Sequence, residues 1–245
     1  KAIVTSRRRR DIDARIVRLD RLAREEALAL MDELAKNNPR LHRTPITERE
    51  ELYAITNGNP LLIRWLAGQL GRAGSQCRTV ADACAFLEKA PPDNDPLEYI
   101  FGDLLDTFTA AETAVLTALV HFNQPAKVQW ITAVADMPEA AARTALEDLS
   151  DRALLVGDEA LERFLLPPLA ATFLRRKHPA AVGQTGGRLT DRAYALALAN
   201  GYREYERFPT LEAEWPTLAA ALPLLAQGAD ARDNERLQTV CDAFR

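Results

Sequence analysis

The sequence predicts a mainly α-helical protein that contains only a few short strands. First, 42 alanines and 35 leucines stand against 10 valines and 8 isoleucines; alanine and leucine favour helices, whereas the β-branched residues favour strands. Second, apolar residues recur at helical spacing from Asp11 onward. Third, capping sequences and prolines divide this pattern into segments of ordinary helix length. We therefore expect helical units joined by short turns.

Composition and charge exclude several classes of protein. With 47% hydrophobic residues, 27% charged residues and a net charge of −4, the chain has ordinary globular values. The mild acidity argues against a dedicated nucleic-acid binder, and no apolar run approaches the roughly 20 residues of a membrane span. We therefore expect neither DNA nor a membrane as a partner.

The residues that usually carry catalysis or bind metals are few and scattered. The three cysteines, Cys77, Cys84 and Cys241, form no C-x-x-C sequence, so we expect free thiols in a cytoplasmic protein. The three histidines stand apart, and no serine lies in a G-x-S-x-G sequence. We therefore predict no catalytic residue and no metal site within this chain.

The first ten residues predict a strand followed by a basic run. Lys1–Thr5 is short and apolar, and Ser6 and Arg7–Arg10 follow it directly. Such a short strand is stable only inside a sheet, and the residues after it have a helical pattern. We expect residues 1–36 to be the end of a parallel α/β domain whose other strands precede Lys1. The alternative is a frayed terminus.

Residues 37–96 have the pattern of a small helical bundle. The helix before it, around residues 24–36, is expected to end at the break Asn37-Asn38-Pro39. Within the bundle, one helix is expected from a Thr47-x-x-Glu50 capping box to Ile55. Two more are expected, one from Pro60 after the turn Asn57-Gly58-Asn59 and one over Val80–Leu87. The proline-rich segment 91–96 then predicts a linker.

Residues 97–180 predict three helices, a two-stranded hairpin and a further helix. The three helices are expected to begin at a Thr109-x-x-Glu112 capping box, near Val128 and at Pro138. The hairpin is expected over Leu154–Leu166, with its turn at Gly157-Asp158-Glu159. The last helix is expected from Pro167 to Lys177. This order is that of a winged-helix domain with a β-hairpin wing.

The remaining residues predict a loop and then paired helices. The segment His178–Gly187 contains three glycines and is expected to be a loop. Residues 188–245 have a helical pattern similar to the first hairpins of a TPR-like repeat. We expect these helices to form a helical region of their own.

Three short sequences, taken in order, resemble the motifs of one family. Thr5-Ser6-Arg7 is similar to a sensor-1 motif at the end of a strand, and Gly58-Asn59-Pro60-Leu61 is similar to the GLPL motif of a helical subdomain. Between them lies a matching helix start, Val17-x-Leu19-x-x-Leu22-x-x-x-Glu26-Ala27. Together with the winged-helix order, they make residues 1–177 resemble the C-terminal half of an NB-ARC, or STAND, signal-transducing NTPase, and we expect a bacterial member.

The resemblance implies a site for ATP or ADP with Mg²⁺. In this chain it implies five nucleotide-binding residues: Thr5, Ser6, Arg7, Gly58 and Pro60. Arg7 would reach the terminal phosphate, a task for which a planar, always charged guanidinium is well suited, and Pro60 would contact adenine.

Two parts of the family's nucleotide site are absent from the sequence. The phosphate-binding loop G-x-x-x-x-G-K-[ST] and the acidic Mg²⁺-binding strand do not occur, and we expect both upstream of Lys1. The segment Leu166-Pro167-Pro168-Leu169 stands where the family has an "MHD" histidine. Pro167 has no imidazole, so this segment does not supply the contact to the β-phosphate of ADP that the family's histidine makes.

The resemblance implies a slow regulatory ATPase in signal transduction, such as bacterial defence. A trigger ligand or protein, sensed by the C-terminal helices, would cause opening and self-association, while this chain alone would not be catalytic. Two alternatives are a winged-helix DNA-binding transcriptional regulator and a helical protein-interaction scaffold. The helix Pro138–Arg152, in the recognition position, carries four acidic and two basic residues, and this charge disfavours DNA.

Overall fold

Helices dominate the structure. The computed structural model describes residues 21–72, 74–90, 96–158, 162–202, 205–228 and 231–243. These ranges contain fourteen α-helices and one three-stranded antiparallel sheet, so the prediction of a mainly α-helical fold is confirmed. The strand predicted at Lys1–Thr5 lies outside the described residues.

Five helices form the first unit. They are α1 (Arg24–Ala35), α2 (Pro39–His42), α3 (Ile46–Thr56), α4 (Pro60–Gln69) and α5 (Val80–Glu88). The helices predicted at residues 24–36, at Pro60 and at Val80 are confirmed, whereas α2 was not predicted. The predicted capping box at Thr47 and Glu50 is wrong, because Pro45 precedes the first residue of α3 and Thr47 already lies within the helix.

The second unit combines helices with the small sheet. After α6 (Pro96–Asp106) come α7 (Ala110–Leu119), β1 (Ala126–Lys127), α8 (Val128–Ala135), α9 (Glu139–Asp151), β2 (Val156–Asp158), β3 (Arg163–Leu165) and α10 (Pro168–Lys177). The capping box before α7 is confirmed: the Thr109 hydroxyl accepts the Glu112 N–H at 3.2 Å, and the Glu112 carboxylate accepts the Thr109 N–H at 2.7 Å. This exchange satisfies two otherwise unpaired N–H groups.

The sheet has β3 in the middle, paired antiparallel with both β1 and β2. The predicted hairpin is therefore confirmed, but its turn is not where we predicted it. Gly157 pairs with Phe164 and Asp158 with Arg163, so both lie within β2. Strand β1 was not predicted, because two residues are too few to show an alternating pattern.

Helix α6 connects the two units through aromatic contacts. The ring of Phe101 in α6 is 5.1 Å from the ring of Trp65 in α4 and 5.3 Å from the ring of Phe173 in α10. All three side chains are buried. Of the predicted linker, residues 91–95 lie outside the described residues and Pro96 begins α6.

The loop predicted at His178–Gly187 is wrong, because α11 (Pro179–Asn200) covers almost all of it as one helix of 22 residues. Each glycine costs such a helix roughly 1 kcal/mol relative to alanine. Packing offsets that cost: Thr185, Gly186 and Leu189 are buried, and α11 lies against α7 and α8. Tertiary contacts thus override the local preference of the sequence.

Three more helices complete the described chain. They are α12 (Phe208–Ala213), α13 (Trp215–Gln227) and α14 (Ala231–Asp242). Helix α11 packs against α13 and α14, so helices are present where residues 188–245 predicted them. Cys77, Cys84 and Cys241 are free cysteines. In the part of the chain that the structure describes, no helix is long and apolar enough to cross a membrane.

Candidate functional site

The turn before α4 holds two of the five predicted nucleotide-binding residues, Gly58 and Pro60. Asn57 and Gly58 have positive φ angles of 50° and 66°. The N–H of Leu22 donates a hydrogen bond of 2.9 Å to the carbonyl oxygen of Gly58, and a Cβ at Gly58 would lie 2.4 Å from the Leu22 oxygen. Glycine is therefore required here, because no side chain fits between the turn and the segment before α1.

Pro60 is exposed at the first position of α4. The side-chain oxygen of Asn59 accepts the N–H groups of Leu61 at 3.0 Å and Leu62 at 3.3 Å. Because Asn59 already caps these amides, they are not free to bind a phosphate, and the exposed group at this end of α4 is the apolar proline ring. Thr5, Ser6 and Arg7 lie outside the described residues.

A close contact between the two units is at Gly68 of α4 and Arg152, which follows α9. A Cβ at Gly68 would lie 2.1 Å from the carbonyl oxygen of Arg152. The Arg152 guanidinium binds the Glu112 carboxylate at 3.0 Å and the Thr107 hydroxyl at 2.6 Å and lies 4.9 Å from the centre of the Phe108 ring. Arg152 and Glu112 are 5% and 7% exposed at their side chains, so this ion pair is buried.

Burial lowers the pKa of the Arg152 guanidinium; the Glu112 charge opposes this effect, and the positive charge of Arg72 adds to it. Buried polar atoms of α4, of α9 and of Arg152 have no hydrogen-bond partner within the described ranges: Trp65 Nε1, Gln69 Nε2 and Oε1, Ser150 Oγ and Arg152 Nε. The contact at Gly68 therefore brings α4 against a residue whose side chain forms a buried ion pair. Sequence reasoning missed it, since a buried arginine at a helix end has the same local pattern as an exposed one.

Helix α9, which the sequence predicted as the recognition helix of a winged-helix domain, has one arginine, and that arginine is paired. The Arg143 guanidinium binds Glu139 at 2.7 Å and Glu162 at 2.7 Å. Hydrogen bonding to Arg143 lowers the pKa of Glu162. The exposed side of α9 presents the acidic residues Glu147, Asp148 and Asp151. This surface would repel a phosphate backbone.

A second polar contact ties α11 to the end of α7. His121 Nε2 lies 2.9 Å from the Thr185 hydroxyl, at the edge of a cavity of about 550 Å³ that is lined by His121 and by residues of α10, α11, α13 and α14. Burial, and then the charge of Arg175, lower the pKa of His121 to about 4. The imidazole is therefore neutral near pH 7.

No protein-family model and no curated protein matches this chain. Within the described ranges, no cluster of three or more histidine, cysteine or acidic residues could hold a metal ion. In the segment Leu166-Pro167-Pro168-Leu169, Leu166 is buried and Pro167 precedes α10, so neither residue offers a ring nitrogen to a ligand.

Proposed function

We propose that this chain is the C-terminal part of a nucleotide-dependent switch of the NB-ARC/STAND type. In this proposal, residues 1–36 end a nucleotide-binding α/β domain and residues 37–96 are its helical subdomain. Residues 97–180 are a winged-helix domain, and residues 188–245 begin a helical sensor region. ATP or ADP with Mg²⁺ would bind mainly to a phosphate-binding loop upstream of this chain.

The observation that carries the proposal is the geometry of the Gly58–Pro60 turn. Gly58 is buried and hydrogen-bonded to Leu22, which belongs to the segment that follows the Thr5-Ser6-Arg7 motif. Pro60 is exposed beside it. A bound nucleotide supplies a planar base and phosphate charges; Pro60 would contact the base, and Arg7 would pair with the terminal phosphate.

The order of elements supports a winged-helix domain at residues 97–180. Strand β1 lies between α7 and α8, α9 follows α8, and the β2–β3 hairpin comes next, with β3 between the other two strands. The acidic exposed side of α9 favours a role inside the switch over DNA binding. The helices α11–α14 that follow would receive the trigger ligand or protein.

The junction at Gly68 and Arg152 is the contact that such a switch would open. Interfaces between domains of one chain are commonly polar, and relative motion is expected unless they are large and apolar. Separation would expose Arg152, Glu112 and Gln69 to water, which would satisfy their polar atoms. In the proposed mechanism, opening frees the winged-helix domain and exposes surfaces for self-association.

Two exposed prolines at helix starts allow a matched test in the full-length protein. Pro60→Ala removes the proposed contact with adenine, whereas Pro179→Ala makes the same change at the start of α11. We expect Pro60→Ala to weaken ADP binding at least roughly fivefold, about 1 kcal/mol, as measured by calorimetry, and Pro179→Ala to leave it unchanged. Equal affinities for both variants and the unaltered protein would refute the proposed role of the turn.

A further inference from the structure

Four arginines line one cleft at the end of α4 that is opposite to Pro60. The cleft has a volume of about 570 Å³ and is lined by Asn38, Pro39, Arg40, Arg43, Leu70, Gly71, Arg72 and Arg78. Its lining includes no acidic residue. Because α4 has ten residues and each adds about 1.5 Å, the cleft lies about 15 Å from Pro60 along the helix and is a separate place.

The backbone holds this cleft in a fixed form. The Asn38 amide donates a hydrogen bond of 2.7 Å to the carbonyl oxygen of Ala67 and so ties α2 to α4. The Gly71 N–H donates to the Arg78 oxygen at 2.8 Å, which closes the loop between α4 and α5. Gly71 has a φ of 80°, and a Cβ there would lie 3.1 Å from Cβ of Arg40. The stem of Arg40 therefore rests directly against this loop.

The arginine charges are not neutralised within the described residues. None of the four forms an ion pair there, whereas Arg49, Arg143 and Arg152 each bind a carboxylate. Arg72 Nε donates to the Gly68 oxygen at 2.9 Å, and Arg78 Nε donates to the Arg72 oxygen at 3.3 Å. These bonds orient two guanidinium groups through one nitrogen each and leave their outer nitrogens for a ligand.

We infer that this cleft binds a small oligophosphate, a molecule that carries two or more phosphate groups. Planar guanidinium groups pair bidentately with phosphate oxygens and keep their charge at any physiological pH. A volume of about 570 Å³ is that of a small-molecule pocket. Four arginines that line one cleft suit a compact anion, whereas a nucleic acid backbone requires an extended basic surface. The site is distinct from the proposed nucleotide site and does not depend on it.

The test uses inorganic tripolyphosphate, which has no base or sugar, and the 245-residue chain. The variant Arg43→Gln/Arg78→Gln removes two charges from the cleft, and Arg64→Gln/Arg163→Gln removes two charges elsewhere, one of them on α4 itself. We expect calorimetry to show binding by the unaltered chain, at least tenfold weaker binding by the cleft variant and a change of less than twofold in the control. Circular dichroism melts establish that both variants fold.

Three outcomes would overturn the inference. No binding by the unaltered chain would exclude the site, and equal weakening in both variants would show that only net charge matters. A short DNA duplex that binds more tightly than tripolyphosphate, and loses binding in the cleft variant, would identify the occupant as nucleic acid. Tripolyphosphate binding to the cleft needs neither Pro60 nor an upstream domain. If the chain does not bind tripolyphosphate, that result therefore does not test the proposed nucleotide-dependent switch.

Discussion

Gly68 of α4 leaves no room for a side chain against Arg152: a Cβ at position 68 would lie 2.1 Å from the Arg152 carbonyl oxygen. The contacting atom is backbone, so it cannot rotate away as the end of a flexible side chain would. The same arginine is held by Glu112 and Thr107. The two units thus meet where one residue lacks a side chain and the other has its two terminal guanidinium nitrogens hydrogen-bonded.

Gly68→Ala is expected to destabilise the chain by about 1–3 kcal/mol, the cost of overpacking a well-filled site. The control is Gly102→Ala in α6, where a Cβ would meet nothing within 4 Å. Alanine is a better helix former than glycine by about 1 kcal/mol, so the control should gain stability. Urea denaturation measures both changes. If the two variants had the same free energy of unfolding, the close contact would not exist in solution.

Arg152→Met is expected to cost about 3–5 kcal/mol, because it leaves the Glu112 carboxylate buried without its partner. The double variant Arg152→Met/Glu112→Gln should recover part of this loss, since a neutral amide is cheaper to bury and can still accept the Thr109 N–H. A double-mutant cycle measured by chemical denaturation gives the coupling between the two residues. If the two substitutions changed the free energy of unfolding by purely additive amounts, the result would contradict the buried ion pair.

His121 should make folding pH-dependent. Its pKa falls from the ordinary 6.5 to about 4 in the folded chain, so the unfolded chain binds more protons between these values. The free energy of unfolding should therefore decrease as the pH falls from about 6.5 to about 4, by at most roughly 1.4 kcal/mol per pH unit for this group. His121→Gln should flatten that part of the profile, and His42→Gln, which changes an exposed histidine, is the control. A profile that His121→Gln leaves unaltered would contradict the burial.

The unaltered chain is expected not to bind duplex DNA. A DNA reader binds any duplex at low ionic strength through phosphate contacts, but Arg143 is paired and its neighbours on α9 are acidic. Fluorescence anisotropy at roughly 50 mM salt tests this expectation. Binding that salt weakens and that Arg143→Glu abolishes would instead support the DNA-binding regulator.

Local signals predicted the parts of the fold that depend on neighbouring residues. The starts of α4 and α7 follow from Pro60 and from the exchange between Thr109 and Glu112, which need only three or four consecutive positions. The turn at Gly58 is likewise visible in the sequence. The loop predicted at His178–Gly187 failed because the burial of α11 against α7 and α8, which no local pattern shows, outweighs the cost of its glycines.

The arginine cleft could not be predicted from the sequence for a different reason. Arg40 and Arg43 are about thirty positions from Arg72 and Arg78 and come together only because Asn38 bonds to α4 and the Gly71 loop closes. Each arginine alone has the pattern of a solvated surface residue. Likewise, Gly68 and Arg152 are 84 positions apart, so their contact depends on tertiary structure alone.

Helix α11 has 22 residues and a length of about 33 Å at 1.5 Å per residue. It packs on α7 and α8 and also on α13 and α14, with no flexible linker between the two sets of contacts. Gly186 of α11 lies against both His121, just after α7, and Leu224 of α13. A displacement of α13 or α14 would therefore change the surroundings of α7 and α8 through one continuous helix.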